Sequence, residues 1–106
     1  MKKQKMSKKW NLKIKKMATF EKKIWPEYFD LVASGKKKYE LRLGDFQPQE
    51  GDTLLLKEWD PIKKSYTGRS INKKIIYSKT FSFDDLTKFF PKEEILEKGI
   101  TVCSLE

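Results

Sequence analysis

The chain has 106 residues, room for one domain with a single modest core, and a net charge of +9 without any histidine. The missing imidazole excludes Ser-His-Asp and Cys-His catalysis and histidine-built zinc sites, and a single cysteine excludes an intramolecular disulfide. No apolar run is long enough to span a bilayer, and signal-peptide and Gly-rich phosphate-loop patterns are missing, which predicts a cytosolic protein with no membrane attachment, metal or cofactor.

The charge is unevenly placed. Residues 1–23 hold ten lysines against one acid, Glu21, whereas residues 24–106 balance fourteen basic against fourteen acidic side chains. Residues 1–9, with Lys2, Lys3, Lys5, Lys8 and Lys9, read as a disordered basic arm, either an electrostatic attachment to nucleic acid or a solubilising tail. Residues 10–106 form a single domain. In it Trp10, Leu12 and Ile14 alternate with polar residues as in a half-buried strand, and a linker runs on to about Ile24.

Pro26 at a first helical position, Glu27 in the first turn and Gly35 as a stop predict a helix whose Trp25, Phe29 and Val32 share a core face, with Tyr28 and Leu31 alongside. A strand follows. Its alternation turns Tyr39, Leu41 and Leu43 to one face and Lys38, Glu40 and Arg42 to the other. On that second face Glu40 is placed to hold the Arg42 guanidinium as a planar fork for phosphate or a base edge, or to form an ordinary surface ion pair. Residues 44–51 are a loop, and residues 53–59 a central strand through Leu54, Leu55 and Leu56. Asp60-Pro61 starts a turn with its tip at Lys63-Lys64-Ser65, and a return strand covers residues 66–77 with Ile71, Ile75 and Tyr77 inward and Gly68 marking a bulge. Ser82 and Asp85 open a short helix through Phe90, and Pro91 to Gly99 frame a second. Residues 100–105 read as a last strand that buries Cys103 as a reduced thiol. The fold class is α+β, and no coiled-coil heptad or apolar edge specifies an oligomeric state.

Gly35, Lys37, Glu40 and Arg42 fit the pattern GxKxxExR, and with residues 28–34, Gly51-Asp52, Glu58-Trp-Asp-Pro61 and Tyr66-Thr-Gly-Arg69 the chain resembles the ASCH domain of the PUA-like superfamily, in the small branch borne by phages and bacteria. The resemblance runs from about Trp10 to the C-terminus. It implies a small β-barrel of about five or six strands, with one helix before the signature strand and two short helices near the C-terminus. It also implies a cleft for RNA or a modified nucleoside lined by Lys37, Glu40 and Arg42, with Gly35 in a structural role.

Trp59, Tyr66 and Arg69 flank the hairpin and are a second candidate for nucleic-acid contact: a stacking surface with a cation beside it, or simply a cross-strand aromatic pair. Lys57, Lys73 and Lys74 are either a phosphate track or solvated strand lysines. Some ASCH-like proteins are N4-acetylcytidine amidohydrolases that use a Lys and a Thr. Lys37 matches the Lys, but Glu40 stands where the Thr belongs, so Lys37 and Glu40 are catalytic candidates without a complete constellation. A ribonuclease-like reading requires Glu40, Glu58 and Asp60 to converge on a divalent ion. A protein-interaction module is the remaining alternative.

Overall fold

β2 (Thr53–Asp60) is the centre of the molecule, because its alternate residues Leu54, Leu56 and Glu58 are all buried. In the computed structural model, which describes residues 16–106, it is paired on both sides. β1 (Thr19–Ile24) runs parallel to it with Lys23 beside Lys57, and β3 (Ser65–Lys74) runs antiparallel. Between β1 and β2 lies α1 (Pro26–Ala33), and after β3 come α2 (Phe83–Phe89) and α3 (Lys92–Lys98). The basic arm and the strand expected over residues 10–14 lie outside the described residues.

α1 covers one face of the sheet. Phe29 and Val32, one turn apart, pack with Ile24, Leu54 and Leu56, and Phe20, Phe46, Ile71 and Ile75 close the margin. Trp25, Tyr28 and Leu31 stay outside, so the apolar stripe of this helix is narrower than its sequence suggests. The opposite face of the sheet displays Lys23, Lys57 and Trp59.

The Asp52 carboxylate accepts from the backbone N–H of Ala18 at 3.0 Å and of Gln49 at 2.8 Å, joining the start of β1 to the loop before β2. Beside it Ile75 N–H donates to Asp52 O and Gly51 N–H to Ile75 O, a glycine bulge that ends the β2–β3 ladder. Further along, the Ser82 hydroxyl accepts from Asp85 N–H while the Asp85 carboxylate accepts from Ser82 N–H, the reciprocal cap that the sequence announces.

The α+β class, α1, β2 as the central strand, the hairpin and both C-terminal helices agree with the sequence reading. Four expectations are corrected. The stretch read as a linker contains β1, whose Lys22 and Lys23 disguise the alternation of Phe20 and Ile24. The signature, residues 36–43, joins no ladder among the described residues, and Lys37, Glu40 and Arg42 bond through their side chains. Residues 100–105 pair into no strand among the described residues, and Cys103 is exposed. β3 ends at Lys74, which leaves Tyr77 exposed. Among the described residues the sheet thus has three strands and is open, rather than a barrel of five or six.

Leu56 has no exposed surface. Leu56→Ala should lower unfolding free energy by about 2–5 kcal/mol, and Asp52→Ala by ~1–3 kcal/mol through its two orphaned donors. Urea unfolding with an unchanged m-value checks both.

A candidate nucleic-acid interface beside β1

The end of α1 delivers the signature to its place. Gly35 takes φ +81°, a left-handed conformation open to glycine at little cost, and its N–H donates to Val32 O at 3.1 Å. Lys37 N–H then reaches back to Leu31 O at 3.0 Å, which ties the start of the signature to the last turn of the helix. On the other flank Lys38 N–H donates to Ser104 Oγ at 2.8 Å.

Lys37, Glu40 and Arg42 form one connected unit. Lys37 Nζ donates to Glu40 Oε1 at 2.8 Å and to Tyr39 O at 2.7 Å, with the Tyr39 ring 4.6 Å away. Arg42 Nε donates to Glu40 Oε2 at 2.9 Å, so both oxygens of this carboxylate are engaged. Arg42 Nη2 donates to Lys23 O at 2.7 Å and fixes the guanidinium to the exposed side of β1. The charged side chains are half-buried, while Leu41 and Leu43 point out at 76% and 81% exposure. The alternation of Glu40 and Arg42 against Leu41 and Leu43 is kept, but the charged side is the inner one. Just beyond, Lys22 lies over the Phe46 ring at 4.0 Å and Phe20 meets Phe46 edge to face at 5.2 Å, so the segment runs alongside β1.

The second candidate group divides between the two faces. Trp59 and Tyr66 are a cross-strand pair with centroids 5.0 Å apart and planes at 78°. Arg69 is turned to the other side with Glu58, which is only 3% exposed. Its Nε donates to Glu58 Oε1 at 2.9 Å and its Nη2 to Oε2 at 2.6 Å, a bidentate pair. Nη2 also reaches Asp30 at 3.1 Å, and the guanidinium lies 4.4 Å from the Phe29 ring. The cation over Trp59 is instead Lys23, at 3.8 Å; it lies 5.7 Å from Tyr66, whose ring also has Lys57 at 5.5 Å. Sequence reading missed it because only the parallel β1–β2 pairing brings Lys23 beside Lys57, two residues from Trp59.

Glu58 decides where Tyr66 falls. Lys57 pairs with Ser70, and Trp59 with Tyr66, so three residues of β3 oppose Glu58 alone. Gly68, at φ +97°, is the middle one, and its neighbours Thr67 and Arg69 both donate to the Glu58 carboxylate. Had the ladder continued without this bulge, Trp59 would face Gly68 and have no ring to meet. The Arg69 guanidinium, helped by the Thr67 hydroxyl, holds the Glu58 carboxyl below the usual carboxylate range in spite of desolvation.

The remaining candidates differ in their surroundings. Lys57 is paired with Glu21 at 3.1 Å, while Lys73 and Lys74 are exposed. Asp60 accepts from the N–H groups of Ile62 and Lys63 in the turn, so Glu40, Glu58 and Asp60 lie apart. No group of three Asp, Glu, Cys or His able to hold a metal ion occurs among the described residues, nor any helix long and apolar enough to cross a membrane.

The lowered pKa of Glu58 has a definite sign in folding. Its contribution is complete above the ordinary value of 4.5 and is lost as pH falls through the folded-state value. Glu58→Gln should therefore be less stable at pH 7, and its urea midpoint should fall less than that of the parent between pH 4.5 and more acidic conditions.

Two comparisons bear on kinship. The chain is 44% identical over 55 residues to the "Uncharacterized 12.9 kDa protein in GpA 3'region" of Escherichia phage P2, a match covering 52% of this chain and 49% of that protein. It thus spans about half the length of the curated relative. The profile of a family described as "Domain of unknown function (DUF3850)" matches residues 19–88, from the start of β1 into α2 and across every residue of the signature and the aromatic pair, and the chain belongs to that family.

Proposed function

We propose that this domain binds RNA or a modified nucleoside in the cleft formed by Lys37, Glu40 and Arg42, with Trp59 and Tyr66 as its stacking surface. The observation that carries the reading is the continuity of the two groups through Lys23, whose carbonyl accepts from Arg42 and whose ammonium lies on Trp59. Fixed cationic donors beside aromatic rings, Tyr66 exposed and Trp59 half-buried, are what an unpaired nucleotide requires, the donors for its polar groups and the rings for its base. Arg69 has a structural part in this reading, as the partner of Glu58 rather than a ligand contact. Lys2 to Lys9 would add attraction that is independent of RNA sequence.

The reading includes kinship with the PUA-like ASCH domains. The GxKxxExR residues support it, as does the course of residues 42–46 beside β1, where the closing strand of a barrel would run. It also includes a cytosolic location. Among the roles open to Lys37, binding is favoured over nucleophilic attack, since its ammonium is occupied as a donor to Glu40 and to the Tyr39 carbonyl.

Arg42→Ala should weaken binding of single-stranded RNA by about tenfold or more, the value of charge-assisted hydrogen bonds lost from one side chain. Glu40→Ala should act in the same direction by releasing Arg42 from its position. Fluorescence anisotropy at two salt concentrations measures both, and parental affinity in Arg42→Ala would rule out the cleft.

A further inference from the structure

We propose that Lys23 and Arg42 form a phosphate clamp, so that the ligand of this site is a phosphate-bearing, single-stranded nucleotide unit and not a free nucleoside. This rests on the binding reading above and chooses between its two ligands.

Charge balance is the first ground. The unit and its neighbour contain three cations, Lys23, Lys37 and Arg42, and one anion, Glu40. No carboxylate pairs with Lys23 among the described residues, and residues 1–15 contain no acid. A neutral nucleoside leaves that positive surplus uncompensated, whereas a phosphate neutralises it. Donor geometry is the second ground. Arg42 uses Nε on Glu40 and Nη2 on Lys23 O, and Nη1, with two hydrogens, donates to no acceptor among the described residues, which leaves it as a donor for anionic oxygen.

The third ground is the resting place of Lys23. Its ammonium occupies the Trp59 face on which a base would stack. A base that takes that face displaces the ammonium. A nucleotide brings with it the phosphate to which the ammonium can move, but a nucleoside removes the ring and gives nothing in return. Lys23 therefore favours ligands that carry both a base and a phosphate.

The full chain is titrated calorimetrically with the four nucleosides, the four 5′-mononucleotides and a single-stranded RNA decamer. The clamp predicts mononucleotides at least about tenfold tighter than their nucleosides, as expected of charge-assisted contacts. Lys23→Gln should abolish that preference and flatten the log–log salt slope for the decamer by about 0.7, one phosphate contact on a single strand, and Lys23→Arg should restore both. Lys23 is exposed, so these variants test binding without disturbing the core. Equal affinity for nucleosides and mononucleotides, or an unchanged slope in Lys23→Gln, overturns the clamp while a decamer still sensitive to Arg42→Ala leaves the binding reading intact. Failure of every ligand, decamer included, overturns both.

Discussion

The buried Glu58 carboxylate is the constraint around which the molecule is organised. It lies in the core layer beside Leu56, where an unpaired charge would be strongly destabilising, and it is tolerated because Thr67 and Arg69 satisfy it from the neighbouring strand. The same guanidinium lies against Phe29 and reaches Asp30, so β2, β3 and α1 meet at one polar point. A hydrophobic replacement would fill the volume, yet it would not specify which three residues of β3 stand opposite one residue of β2. The polar contact sets register on one side of the sheet, and the aromatic pair on the other side exists because of that register.

β1 serves the other half of the site in a similar way. It supplies a backbone carbonyl to Arg42 and a side chain to Trp59, both from Lys23. Two groups of residues separated in sequence by the loop before β2 and most of β2 itself are thereby joined through a single position. Lys37 and Glu40 support this arrangement from the far side, and the turn after α1 gives Lys37 its starting point.

Much of this was legible in the chain. The Pro26 and Gly35 boundaries, the leucine run of β2, the turn at Asp60-Pro61 and the Ser82 cap are local signals, and the structure agrees with each. The pairing of Glu40 with Arg42 also follows from a two-residue spacing in extended chain. What could not be read was long-range. β1 hides its period behind two lysines on either side of the strand, and the partnership of Lys23 with Trp59 depends on a parallel pairing across 28 intervening residues. Arg69 was misplaced for a similar reason: a bulge separates residues that look adjacent, and alternation then turns its side chain to the core face. The signature showed strand periodicity without a strand partner among the described residues, since alternation records which side chains are inner and outer but says nothing of backbone partners.

β3 has a different consequence. It is the edge of the described sheet, and residues 62–79 contain six lysines or arginines and no acid. Extended edges recruit other chains into amyloid-like stacking, and a row of like charges is a common defence against it. In β3 itself that role falls to Lys73 and Lys74, since Arg69 is paired with Glu58 and Asp30. Lysines removed there would produce precipitation, most of all in high salt where the remaining charges are screened, and the loss would resemble a binding defect only in an assay blind to aggregates.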